Sequence, residues 1–141
     1  MFTIRCVLDD NDRGNLVDPL GEVRISDGVS TILDPSGFLD AWIDSLISKL
    51  EELQSGKPVV IDVSEPNYLR LLRIGEAVRI EYKNETVFAA SVAEFDAALR
   101  NAACDFVDQI DQIRTDADND PFPLIRRYAQ EDEGDESNRE H

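Results

Sequence analysis

Between Lys57 and Ser91 four short apolar runs follow one another with turn chemistry between them, and no other stretch of the chain is so regular. Val59, Val60, Ile61 and Val63 make the first run, Ser64, Glu65, Pro66 and Asn67 interrupt it, and Tyr68 to Ile74 make the second. Gly75 and Glu76 supply the next turn, after which Val78, Ile80 and Tyr82 alternate with Arg79 and Glu81, the period of a strand buried on one face. Lys83, Asn84 and Glu85 turn once more before Thr86 to Ala90. The pattern predicts a β-meander over about residues 58–90. Its turns are long enough for antiparallel hairpins and too short for a parallel crossover.

At the N-terminus Phe2, Ile4, Cys6 and Leu8 alternate with Thr3 and Arg5, which predicts another half-buried strand. Val23 and Ile25, the Asp27-Gly28 turn and the run Val29 to Leu33 predict a hairpin. Asp34 followed by Pro35 reads as a helix start, with a carboxylate able to accept from unpaired amides and a proline at the first helical position. Leu39, Ile43, Leu46, Leu50 and Leu53 then recur at helical spacing, Phe38, Trp42 and Ile47 widen the stripe, and Gly56 ends it. Trp42 could anchor a partner, but its place on the edge of such a stripe favours the core. After the meander, Ser91 and Glu94 form a capping box, and Phe95, Leu99, Ala102, Phe106, Ile110 and Ile113 trace one face of a long second helix. Ala97, Ala98, Ala102 and Ala103 would let that helix lie close to the sheet. The expected fold is α+β: an antiparallel sheet of five to seven strands, made of the meander and the N-terminal strands, with two amphipathic helices packed on one face. Leu46, Leu50, Ile61, Leu71, Ile80, Phe95, Leu99 and Phe106 are the expected core.

A boundary falls after Thr115, where Asp116, Asp118, Asn119 and Asp120 run into Pro121, Phe122 and Pro123. Residues 1–115 are expected to form a single domain and 116–128 a docked or partly ordered extension. In that extension one turn from Leu124 to Tyr128 seats Phe122, Leu124 or Ile125, and 129–141 is an acidic tail expected to be mobile.

Charge alters the picture more than composition does. Thirty acids against fourteen bases give −16, of which residues 1–115 carry −10 and residues 116–141 carry −6, so the folded part is itself acidic. Such a surface repels nucleic acid and anionic membrane and favours basic protein partners; solubility alone is the competing explanation. With no long apolar run or targeting segment, a cytoplasmic protein is expected. Cys6 and Cys104 both fall at positions expected to face the core as buried thiols, and their spacing makes no zinc motif.

Catalytic chemistry is thin. The one histidine is His141, which removes histidine-activated nucleophiles and histidine-ligated zinc, and the scattered glycines form no phosphate loop, so no cofactor and no enzyme activity are expected. Asp9 to Gly14 fails as a calcium loop because Leu20 stands where its glutamate should be, and Asp116, Asp118 and Asp120 fail because Pro121 and Arg127 occupy the glycine and final ligand positions. No metal site is expected. Glu76, Glu81 and Glu85 are acid-base candidates only in the sense that so acidic a chain places carboxylates together by chance. Arg70, Arg73 and Arg79 fall in neighbouring strands, where pairing with Glu76 and Glu81 would absorb them. The candidate interaction site is the acidic stripe Asp105, Asp108 and Asp111 on the outer face of the second helix, where mutual repulsion would become attraction to a basic partner.

The layout of opening strand, hairpin, helix ending in Leu53-Gln54-Ser55-Gly56, meander with Glu65-Pro66 and Leu71-Leu72-Arg73-Ile74-Gly75, and long final helix resembles small bacterial immunity proteins over about residues 2–113. These proteins neutralise toxins of polymorphic or contact-dependent systems. The resemblance implies a non-catalytic inhibitor that binds a cognate toxin domain, often a basic nuclease, and it carries over no site residues. The alternative is a homo-oligomeric structural or accessory protein.

Overall fold

The computed structural model describes residues 1–9, 19–64, 67–113 and 121–130. In chain order the elements are β1 (Thr3–Leu8), β2 (Leu20–Ser26), β3 (Thr31–Phe38), α1 (Leu39–Gln54), β4 (Val59–Ser64), β5 (Asn67–Ile74), β6 (Ala77–Tyr82), β7 (Glu85–Ala89) and α2 (Val92–Ile113), followed by a helix over 123–130, here α3. All pairings are antiparallel, as the short turns of the β2–β3 hairpin and of the meander require for theirs. The seven strands do not form one sheet: β1-β2-β3 and β4-β5-β6-β7 are hydrogen-bonded separately. The inner faces of both sheets and the apolar faces of the helices share one core. All the expected core residues belong to it, Leu50 at its partly buried margin.

Where β3 lies against β7 no ladder joins the sheets, and Asp27 of the β2–β3 turn spans the gap. Its carboxylate accepts from the amides of Val29 and Ser30 at 2.8 Å each and from the amide of Phe88 on β7 at 3.0 Å. The Ser30 and Val29 bonds, with Phe88 adding less, hold its carboxyl below the usual carboxylate range. The stabilisation this bridge supplies is therefore present above the ordinary aspartate pKa and is lost as pH falls through the lowered folded value.

Asp34-Pro35 does not start the helix. β3 continues to Phe38, and the register passes from Val23↔Asp34 to Gly21↔Gly37, so that Pro35 and Ser36 oppose Glu22 alone in a β-bulge. A bulge is one of the few sheet positions that tolerates a residue without an N–H. Asp34, buried at 6% exposure, turns inward and accepts from the Trp42 indole Nε1 at 3.0 Å and from the Ser36 amide at 3.2 Å. Gly37 has no room for a side chain, since a Cβ there would meet the Asp34 carboxylate at 2.5 Å and Trp42 Nε1 at 2.7 Å. The helix opens instead at Leu39, whose amide donates to the Pro19 carbonyl at 3.0 Å. Trp42 is a core residue, edge-on to Tyr82 with centroids 5.3 Å apart.

α2 begins at the predicted cap, the Ser91 hydroxyl accepting from the Glu94 amide at 3.0 Å, while the Glu94 carboxylate reaches one residue past the N-cap and accepts from the Ala90 amide at 2.8 Å. Of the extension, residues 121–128 are described and pack on the domain, and the helix there has two turns rather than one and runs through residue 130. Phe122, Ile125, Tyr128 and Ala129 are buried, while Leu124 is exposed. Phe122 meets Phe106 at 5.1 Å, and Arg100 stacks over the Tyr128 ring at 4.3 Å while donating to the Tyr128 carbonyl.

Cys6 is buried as expected; Cys104 is exposed, at the margin of the buried arc of α2 and facing the Ala129 carbonyl. Burial first, then the charge of Asp105, pushes the Cys6 thiol up to about 12. Iodoacetamide at mildly alkaline pH should therefore label Cys104 and spare Cys6 in the folded protein, with both labelled in urea. Peptide mass mapping that found Cys6 labelled first in the folded protein would contradict this packing.

Candidate functional site

An antiparallel sheet covered on one face is expected to show polar residues on the other. The four-stranded sheet departs from that rule. In register across its solvent face, Val60 stands beside Arg70, Arg70 beside Glu81, and Leu72 beside Arg79, which in turn stands beside Phe88. Val60, Tyr68 and Phe88 are exposed at 51%, 43% and 48%. Pro58, Val60, Arg70, Leu72, Arg79 and Glu81 line a shallow groove of about 220 Å³ on this face.

The charges within it are only partly answered. Arg79 pairs with Glu81 at 3.0 Å, an exposed bridge of the kind that contributes little. Arg70 faces the same glutamate across the ladder but forms no ion pair among the described residues. Arg73 is not part of the patch, because it donates to the Gln54 carbonyl at 2.6 Å and to the Gly75 carbonyl at 2.9 Å, satisfying the C-terminus of α1. The expected pairing of these arginines with Glu76 and Glu81 therefore holds only for Arg79 among the described residues.

The predicted acidic stripe is divided. A step of three residues turns back about 60° around a helix, so Asp105 and Asp111 lie about 120° apart. Asp105 lines a hollow beside Phe2 to Arg5 of the β1 segment, and Asp111 faces α3. There Arg126 grips the Asp111 carboxylate with two bonds, at 2.6 and 3.1 Å. Asp105, Asp108 and Asp111 are all exposed, but Asp111 is engaged within the chain.

Glu76, Glu81 and Glu85 are not brought together: Glu76 sits in the β5–β6 turn, Glu81 on the outer face, and Glu85 beside the β6–β7 turn at the other end of β6. Among the described residues no three His, Cys, Asp or Glu side chains cluster as metal ligands, and no helix is long and apolar enough to cross a membrane. Both calcium-like aspartate runs, apart from Asp9, and His141 lie outside the described residues. The apolar outer face was missed by sequence reasoning although its signal is present, since Val59-Val60-Ile61 and Leu69 to Ile74 are apolar at both parities of the strand. Comparison with protein-family models, with curated proteins and with solved structures finds no match.

Proposed function

We propose that this chain is a non-catalytic binding protein of the cytoplasm that inhibits a basic partner, in the manner of an immunity protein neutralising a toxin domain. The observation that carries the reading is the outer face of the four-stranded sheet, where tyrosine, phenylalanine and arginine stand with valine and leucine at positions a solvated sheet would fill with polar residues. Aromatic residues and arginine are what interface centres enrich. In this reading the work is divided: the charge of −16, with Asp105 and Asp108 among its exposed contributors, steers a basic partner, and the sheet face holds it.

Affinity capture from the native host, followed by an assay of the captured protein with and without this chain, tests the proposal. The expected result is a stoichiometric basic partner whose toxic activity is abolished in the complex. An acidic partner, or one fully active when bound, would overturn it. The same apolar face supports a second reading, a homo-oligomer in which two copies lay these sheets together; sedimentation showing a concentration-dependent dimer without partner would favour that reading.

A further inference from the structure

β4 is the edge strand of its sheet, with a single ladder, to β5. β3 approaches it without pairing, and among the described residues Val59–Asp62 make no backbone hydrogen bonds beyond that ladder. The segment contains no proline or lysine, the devices that normally blunt an exposed edge. Beside Val60, Ile61 and Asp62 lies a cleft of about 390 Å³, walled by Asp44 and Ser48 of α1 and by Leu124 of α3.

One wall of that cleft carries an unmet acceptor. Asp44 Oδ1 is buried and receives no hydrogen bond among the described residues. Burial raises its carboxyl above the usual carboxylate range. The nearby Lys49 is directed to Glu52, at 3.0 Å, and leaves Asp44 unanswered. We propose that the β4 edge receives an extended basic segment of a partner protein as an added strand, its backbone pairing with Val59–Asp62, its apolar side chains lying on Val60 and Leu124, and a lysine or arginine reaching Asp44. Charge selects this occupant over a second copy: pairing β4 with another β4 would bring Asp44 and Asp62 of two chains of net charge −16 together, whereas a basic segment is attracted by that net charge, with Lys49, already paired to Glu52, the one base lining the cleft among the described residues. The edge and the unmet Oδ1 of the half-buried Asp44 carry this inference, and it stands whether or not the outer sheet face is a contact surface.

The test is titration of the isotope-labelled full chain with a capped octapeptide of alternating valine and lysine, read by amide chemical shifts and hydrogen exchange. Shifts confined to β4 and the Asp44 turn of α1, with slowed exchange over Val59–Asp62, are expected. Asp44→Asn should weaken binding about tenfold, the scale of one charge-assisted hydrogen bond, and should leave binding of a peptide with threonine in place of lysine unchanged. Because this substitution removes a partly desolvated charge, the variant should melt no lower than the parent, which separates lost binding from lost fold. No shifts up to about millimolar peptide, shifts centred on the outer sheet face or on β1, or equal lysine-peptide binding by both proteins would each overturn the proposal. So would concentration-dependent shifts at β4 in the absence of peptide, since they would assign the edge to a second copy.

Discussion

Phe106→Ala should lower the unfolding free energy by about 3–5 kcal/mol, a large share of the roughly 5–15 kcal/mol that a domain possesses. Phe106 is fully buried on α2, and its ring meets Phe122 edge-to-face at 5.1 Å with an interplanar angle of 61°. Truncation removes the transfer free energy of the ring and leaves a cavity, and the aromatic pair adds about 0.5–1.5 kcal/mol to the loss. The effect should spread to α3. An eight-residue helix is not stable alone in water, so 123–130 depends on Phe122, Ile125 and Tyr128 being seated. The variant should therefore also become susceptible to proteolysis within 123–130 before it unfolds globally. A urea melt that loses less than ~1 kcal/mol would show that α2 and α3 are not packed on one another in this way.

Trp42→Phe should cost about 3 kcal/mol, out of proportion to the few atoms removed. Asp34 is the one buried charged residue among the described residues, and the Trp42 indole is the only side chain that donates to it there. Removing that donor leaves a buried carboxylate with the Ser36 amide alone, and breaking a buried charged hydrogen bond is penalised more than a neutral one. Asp34→Asn keeps an acceptor oxygen in place and should cost less. A double-mutant cycle with Trp42→Phe and Asp34→Leu should give a coupling energy of about 1–3 kcal/mol; strict additivity would mean that the pair does not fix the β3–α1 junction.

That junction is also where sequence patterning misleads. Asp-Pro before an apolar helical stripe has the chemistry of a helix N-terminus, and nothing local distinguishes a carboxylate that accepts from backbone amides from one that accepts from an indole eight residues later. The bulge that accommodates Pro35 is a property of the pairing with β2, which is set by partners distant in sequence. Elements governed by local periodicity were legible: the meander, the buried stripe of α1 with Trp42 inside it, and α2 with its cap. The division into two sheets was not, because it depends on which edges meet, and there the connection is a side chain, Asp27 to the Phe88 amide, and not a ladder. Cys104 is exposed where the core was expected, and the Arg126 pairing of Asp111 was not foreseen, for a related reason. Each takes its environment from α3, through the Ala129 carbonyl and Arg126, and periodicity along α2 alone contains no trace of that helix. Of the candidate site, the charge was legible in composition, while the outer face of the four-stranded sheet required the register that places Leu72, Arg79 and Phe88 side by side.

The proposed division of work between charge and sheet face is tested most directly by the association and dissociation rates of the captured partner with two double variants. Tyr68→Ser with Phe88→Ser should raise the dissociation rate at least ~30-fold, the scale of losing a hot spot of about 2 kcal/mol, with the fold intact because both side chains are exposed. Asp105→Asn with Asp108→Asn should slow association at low salt only, the difference vanishing as screening rises. A sheet-face variant that holds the partner as tightly as the parent chain would contradict the account.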